Sequence, residues 1–339
     1  MSTIDFTLGR HEVNLREPFI TALRSVENYT VITYTISDGT GASGVGEAVA
    51  TPAIIGDSLE EIDRDLKERI SPALANISSL EEGLTILTTV EAISSSKAAA
   101  DVALHSFFAA KGGLSFSSFL GSKTERVKTD VTIPISTIAG IDQIVRPRID
   151  QGFTSLKVKL GAISLTENIA TMQKTKELVG PHVSLRVDPN QAWDFTYAKD
   201  FLVALDNLDI AIDYLEQPVG KCHIDDLARL TGLGLAPIMA DESLFSMRDL
   251  EEILEKNACT WINVKILKSG GIAAARAIAD AALAAGVNVS IGSMMEGERG
   301  VLAAAHLASA LAPEITHDLD AAWWHRDCAI TYLNGEILL

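Results

Sequence analysis

Six ionisable residues close six short apolar segments in the second half of the chain: Lys159 (with Lys157 two residues before it), Asp188, Glu216, Asp241, Lys265 and Asp318. Asp188, Glu216 and Asp241 end three consecutive segments. Hard oxygen ligands without cysteine or histidine suit a divalent cation that keeps positions open for substrate, and one Mg²⁺ per subunit is the first choice. Single acids at strand ends often only cap helices; three in succession favour a metal. Lys157 and Lys159 stand at i and i+2, so they share one face of a strand, roughly 7 Å apart. A lysine must fall from about 10.4 to about 7 or 8 to act as a base, and a neighbouring ammonium, a nearby cation and partial burial push it that way.

Lys265 closes the sixth segment. If the segments are strands of an eight-stranded barrel, the second and sixth face each other across its mouth. Two lysines on opposite sides of one carbon permit a 1,1-proton transfer: one removes the α-proton and the other delivers a proton to the opposite face. Epimerisation is the simplest product. The α-proton of a carboxylate is weakly acidic because its loss leaves an enediolate with two negative charges, which a Lewis-acidic cation at the carboxylate would stabilise.

The elements that must position these groups are legible. From about Lys128 onward, short apolar runs alternate with helical segments of ten or more residues, the rhythm of parallel βα units. Strands are expected near Val127–Ile133, Ser155–Lys159, Val183–Asp188, Ile212–Glu216, Pro237–Asp241, Trp261–Lys265, Val287–Ile291 and Ile315–Asp318. Helices follow the first seven, and the tail after the eighth has no room for another. Charged residues at the carboxyl ends of such strands gather at one mouth. Before this region, alternating segments near Thr3–Leu8 and Tyr29–Ser37 and a strand ending near Val49 predict an antiparallel sheet. Helical spacing follows over Ser58–Ile70 and Lys97–Lys111. Gly39 to Gly46 could imitate a phosphate cradle, but no helix follows, so a hairpin turn is the better reading. Gly270-Gly271 reads as a tight βα turn rather than an anion site. The expected fold is α/β: a modified (β/α)7β barrel over residues 121–320, an N-terminal α+β domain over 1–120 and a C-terminal tail, 321–339, that returns to it.

With 45 acidic against 28 basic side chains and a net charge of −17, nucleic acid and anionic membranes are poor partners. Cys222, Cys259 and Cys328 lack CxxC spacing, which fits a reducing compartment. Met1 to Arg10 does not resemble a signal peptide and no run approaches about 20 apolar residues. A cytoplasmic protein acting on a small molecule, with homo-oligomerisation possible, is the expectation. His105 and His306 read as packed helix residues, and Lys268, three residues after Lys265, reads as a residue at a helix start, with a place near the mouth as the alternative.

The motifs Lys157-Val158-Lys159, Asp188-Pro189-Asn190-Gln191, Glu216-Gln217-Pro218, Ala240-Asp241-Glu242-Ser243, Asn263-Val264-Lys265 with Gly270-Gly271, and Gly292-Ser293-Met294-Met295-Glu296 resemble the enolase superfamily. The resemblance spans essentially the whole chain and points to the subgroup of muconate lactonizing enzymes and dipeptide epimerases. A lysine base beside Mg²⁺ at an enediolate is already a described property of that superfamily. The resemblance implies that Lys159 and Lys265 are the acid/base pair with Lys157 assisting, and that Asp188, Glu216 and Asp241 hold the metal with Asn190 in support. Glu296, by its place after the seventh strand, is expected to support Lys265 by charge or hydrogen bonding. The resemblance also implies that the N-terminal domain caps the mouth with loops near Thr21–Asn28 and Ala48–Gly56. Asp318-Leu319-Asp320 resembles the ammonium-binding motif of dipeptide epimerases, as two carboxylates at i and i+2 facing the substrate would suit. Arg24 resembles the cap residue that meets a glutamate side chain in Ala-Glu epimerases. Ser293, Met295 and Glu298 complete the implied substrate contacts. Gly297-Glu298-Arg299 and Trp323-Trp324 depart from the Ala-Glu pattern, and Glu298 would suit a cationic side chain. The implied activity is epimerisation of a dipeptide, L-Ala-D/L-Glu first. N-acylamino acid racemisation, o-succinylbenzoate synthesis, muconate cycloisomerisation and non-catalytic binding of an amino-acid derivative are the alternatives.

Overall fold

Alternating β-branched residues near the N-terminus build an antiparallel sheet of order β1 (Ile4–Ile20), β2 (Ser25–Asp38), β3 (Ser43–Val49). The computed structural model describes residues 4–339, so Thr3, where the first strand was expected to begin, lies outside the described residues. β1 runs well past Leu8 because β2 pairs with it from Ile4↔Asp38 to Asn14↔Asn28. The register then breaks and resumes at Phe19↔Val26, leaving Leu15 to Pro18 bulged opposite Glu27.

Helix Ser94–Lys111 crosses this sheet at a distance only glycine allows. A Cβ at Gly46 would lie 1.9 Å from the Ala99 carbonyl oxygen, and one at Gly44 2.1 Å from the Phe107 nitrogen. The glycine-rich segment is therefore a hairpin turn followed by a helix seat. Ile32, Tyr34 and Ile36 pack with Ile62, Leu66, Leu104 and Phe107 into a core separate from the barrel's.

The expected first barrel strand is divided in two. β4 (Arg126–Lys128) pairs antiparallel with the C-terminal hairpin, and β5 (Val131–Ile133) enters the barrel. From there β6 (Ser155–Lys159), β7 (Ser184–Asp188), β8 (Leu215–Glu216), β9 (Ile238–Ala240), β10 (Trp261–Lys265) and β11 (Asn288–Gly292) form a parallel sheet in sequential order. The eighth strand is reduced to His317 and Asp318, which bridge Thr129 on one side and Gly292 on the other and so close the ring. This is the (β/α)7β barrel. Its last βα unit ends in a single 3₁₀ turn, Ala321–Trp324. The tail then touches β1 through a Leu15–His325 bridge and an Arg326 N–H to Asn14 carbonyl bond, and its hairpin of β12 (Tyr332–Leu333) and β13 (Glu336–Leu338) pairs with β4.

Helix starts follow local chemistry. Ser164 with Glu167 and Ser246 with Asp249 make reciprocal capping boxes on Leu165–Val179 and Met247–Glu255. Gly271, at φ +141°, opens helix Ile272–Ala284, and its N-terminus is filled by a carboxylate of the chain itself: the Ile272 N–H donates to Asp101 Oδ1 at 2.7 Å. No helix of the described residues is long and apolar enough to cross a membrane.

Candidate active site

Because parallel strands present their carboxyl ends on one side, Lys157 and Lys159 of β6 and Lys265 of β10 line one cavity, four strands apart in the sheet order. Asn190, Asp241, Ser293, Met295, Asp318 and Asp320 line it too. Asp188 and Glu216 lie beneath, with no exposure. Phe19, Thr21, Leu23, Arg24 and Ile54 of the N-terminal unit close the top.

The buried charges are interlocked. Lys157 Nζ lies 2.8 Å from Glu216 Oε2, 3.0 Å from Asp318 Oδ2 and 3.3 Å from Asp188 Oδ2. Lys159 Nζ donates to Asp188 Oδ2 at 2.5 Å and Lys265 Nζ to Asp241 Oδ2 at 2.9 Å. The expected lowering of a lysine base rests in part on a nearby cation; the carboxylates around Lys157 and Lys265 by themselves act the other way. Burial lowers each, but the carboxylates outweigh it and hold both ammoniums above their ordinary value: Asp318, Glu216 and Asp188 for Lys157, Asp241 and Asp318 for Lys265. The same pairings draw Asp241 and Asp318 down against the upward push of burial. Glu216 is left pushed up to about 7 by burial despite Lys157, and Glu242 to about 8 by burial and by Asp241 and Asp188.

Loop chemistry fixes these groups. The Asn190 N–H donates to Asp188 Oδ1 at 2.8 Å, and its side-chain amide reaches Asp188 Oδ2 at 3.3 Å and Glu242 Oε1 at 3.2 Å. Gln217 Oε1 accepts from the backbone of Asp241 and Ser243. Asn190, Gln191 and Gln217 all take positive φ, a cost met by these bonds.

The oxygens fit a hard cation in kind. Carboxylates close β7 and β8 and follow β9, Glu216 Oε2 has no aligned hydrogen-bond donor, and Asn190 Oδ1 and Glu242 Oε2 are buried without partners. Among the described residues, however, the three carboxylates whose oxygens all lie within 4.8 Å of one another are Asp130, Asp318 and Asp320 rather than the expected set. One oxygen of Asp130 and one of Asp320 are already hydrogen-bonded, while Asp130 Oδ1 is buried without a partner. Arg186 Nη1 donates to Asp130 Oδ2 at 2.8 Å, and Asp320 Oδ2 accepts from the Thr132 N–H at 2.7 Å and from Trp324 Nε1 at 3.0 Å.

Arg24 is brought to the cavity and makes no ion pair among the described residues. Burial pushes its guanidinium below the ordinary value, only partly offset by Asp57 and Tyr29. Glu298 is not brought there. It lines a separate crevice with His11, Glu47 and His325, and its Oε1 accepts from the Ala329 N–H at 2.9 Å. Its helix, Glu298–Leu311, turns it away from the mouth. The Glu296 carboxylate accepts from the Met294 N–H, and the charge of Lys265 acts on it against the upward push of burial.

Two residues given no site role from the sequence belong to the network. Asn263 donates to Glu216 Oε1 at 3.0 Å and Asp318 Oδ2 at 2.8 Å. It stands two residues before Lys265, so the period-2 logic that found Lys157 would have found it. Lys268, read as a helix-start residue, is buried against Asp241 Oδ1 at 2.5 Å and the Asn263 carbonyl at 3.2 Å. It follows the strand in a one-turn helix, Ile266–Ser269, where strand periodicity carries no signal.

Residues 3–121 match the model of the mandelate racemase / muconate lactonizing enzyme N-terminal domain, and residues 141–337 match that of the enolase C-terminal domain-like family. The L-Ala-D/L-Glu epimerase of Francisella tularensis subsp. novicida is 32% identical over 325 residues, covering 95% of this chain and 90% of that one. The solved substrate-liganded complex of the L-Ala-D/L-Glu epimerase from Bacillus subtilis superimposes with a TM-score of 0.96 at 33% identity, covering 100% and 96% of the two chains. The dipeptide epimerase of Enterococcus faecalis, complexed with Mg and the dipeptide L-Leu-L-Tyr, gives a TM-score of 0.93 at 29% identity, covering 100% and 97%.

Proposed function

The chain belongs to the enolase superfamily, with a mandelate racemase / muconate lactonizing enzyme N-terminal domain, and from that premise we propose that it is an isomerase that epimerises dipeptides. The observation that carries this reading is the pair of lysines, Lys159 and Lys265, on opposed strands of one cavity, with Asp318 and Asp320 lining the same space. One lysine takes the α-proton of the C-terminal residue, so that a C–H bond breaks, an N–H bond forms and the substrate becomes an enediolate. The opposite lysine returns a proton to the other face, which inverts the centre. Lys157 offers a fixed positive charge to the substrate carboxylate. Asp318 and Asp320 receive the N-terminal ammonium.

Asp188, Glu216 and Asp241 would hold Mg²⁺, held in place by Asn190, Asn263 and Lys268. Bound there, the ion would supply positive charge where the carboxylate becomes doubly negative and would draw off the carboxylates that keep the lysines protonated. The Enterococcus faecalis relative complexed with Mg supports that choice. Residues 1–120 serve as the cap, 121–320 as the catalytic barrel and 321–339 as the tail that joins them. Of the described cap residues at the cavity, Arg24 alone is charged, and a partly buried guanidinium without an ion-pair partner among the described residues favours a carboxylate. That favours an acidic C-terminal side chain, as in L-Ala-L-Glu, and the role we propose with it is the handling of murein-type peptides in the cytoplasm.

Pooled L-Ala-L-X dipeptides incubated with the protein and Mg²⁺ in D₂O test the reading by mass shift. Deuterium at the C-terminal α-carbon of Ala-Glu, abolished by EDTA, is the expected result. Incorporation only into N-acylated amino acids would transfer the activity to that class, and none anywhere would sink the proposal.

A further inference from the structure

The turn that carries Arg24 is the tip of the β1–β2 hairpin, with Phe19, Thr21 and Leu23 beside it at the cavity. What holds that tip is visible at its base. Tyr29 of β2 reaches across to the barrel: its hydroxyl donates to the Glu296 carbonyl at 2.8 Å and lies 2.6 Å from His325 Nε2. A hydroxyl whose proton goes to a carbonyl must accept from the ring, so His325 carries its proton on Nε2. The two partners belong to the barrel segments that shape the site. Glu296 ends the Ser293–Met295 wall, and His325 follows the turn after Asp320. The bulge in β1 completes the arrangement, because there the strand leaves β2 to meet the tail. Leu15 bridges His325, Arg16 donates through Nη2 to the His325 carbonyl at 2.9 Å, and the Arg326 N–H donates to Asn14.

We propose that Tyr29 is a positioning residue for side-chain selection: its hydroxyl, shared between His325 and the Glu296 carbonyl, sets the distance between the Arg24 tip and the Ser293–Met295 wall. This rests on the dipeptide reading above. Arg24 is five residues from Tyr29 along the same hairpin arm, whereas the lysines are fixed by the barrel. Loosening the clamp therefore moves the selecting group and leaves the reacting groups in place. The clamp acts on recognition of the substrate side chain and not on proton transfer.

Tyr29→Phe removes the hydroxyl and keeps the ring. One hydrogen bond is worth about a two- to tenfold change in an equilibrium. KM for L-Ala-L-Glu should rise about five- to tenfold with kcat within threefold, while KM for L-Ala-L-Leu, which offers Arg24 no carboxylate, stays put. His325→Leu should reproduce this. His325→Gln, whose terminal amide stands near the Nε2 position, should restore KM. Amide hydrogen exchange gives a readout independent of turnover: residues 19–28 should exchange faster in Tyr29→Phe than in wild type, with the barrel strands unchanged. Equal changes for both dipeptides, or a fall in kcat at constant KM, would overturn the assignment, as would unchanged exchange over the hairpin tip. If the wild type epimerises neither dipeptide, the functional reading fails by itself, and the exchange comparison still decides the clamp.

Discussion

Replacing Glu296 by glutamine should make the protein more stable, by an amount that depends on pH. The carboxyl is 3% exposed, accepts one hydrogen bond from the Met294 N–H and has no ion-pair partner among the described residues. Burial, with a contribution from Glu47, pushes it from the ordinary 4.5 up to about 8. Between those values the unfolded chain has lost the proton and the folded chain has kept it, so the folded state binds more protons and stability falls as pH rises. Each pH unit costs about 1.4 kcal/mol. From 4.5 to pH 7 the penalty reaches about 3 kcal/mol, and above pH 8 it levels off near ~5 kcal/mol. Glutamine has no proton to lose, and its carbonyl oxygen can still accept from Met294. Glu296→Gln should therefore match wild type near pH 4.5 and exceed it by about 3 kcal/mol at pH 7. Urea unfolding of both proteins, followed by tryptophan fluorescence at several pH values, measures the gap. A variant less stable than wild type at pH 7, or a gap that stays constant from pH 5 to pH 8, would refute the reasoning, since either would mean that the folded protein holds Glu296 ionised and paired.

Three further outcomes are expected. Lys159→Ala and Lys265→Ala should each slow epimerisation of an accepted dipeptide about a thousandfold, within the usual worth of a general acid or base; full activity in either, followed by NMR in D₂O, would remove the two-base mechanism. Asp320→Asn should raise KM for a free dipeptide about tenfold, the ordinary loss for a charge-assisted hydrogen bond, and leave N-acetylated analogues unaffected; equal effects on both would detach Asp320 from the ammonium. His317 is fully buried, accepts from the Ile291 N–H through Nδ1 and donates through Nε2 to the Ala312 carbonyl, and burial lowers it to about 4. Its contribution to stability is present above the ordinary 6.5 and is lost as pH falls from there to about 4. Ring-nitrogen NMR should show an Nε2–H tautomer that does not titrate above pH 5, and a protonated ring at pH 6 would contradict the burial argument.

The positions of these ionisable groups were legible in one dimension because strand periodicity is rigid. A residue that closes a parallel strand stands at the barrel mouth whatever the surrounding packing, so Lys159, Asp188, Glu216, Asp241, Lys265 and Asp318 could be placed by counting alone. Hydrophobic rhythm likewise announced the (β/α)7β barrel and the N-terminal sheet. The eighth strand was harder to size, since two bridged residues suffice to close a ring whose other strands already fix its curvature.

Residues outside that periodicity were decided by the tertiary structure. Glu298, one residue past a glycine, is carried round the first turn of its helix and meets Ala329 instead of the cavity. Lys268, beyond its strand, is drawn in by Asp241, because a buried carboxylate attracts whichever cation can reach it. The direction in which Lys157 and Lys265 are shifted depends on distances of about 3 Å to carboxylates on other strands, where Coulomb energy changes steeply. The hold of Tyr29 on His325 and Glu296 joins residues 296 and 267 positions apart. Local sequence determined which groups stand at the mouth, because strand geometry repeats every two residues; only the folded chain could decide how they are charged and what holds the Arg24 tip over them, because both depend on contacts between distant segments.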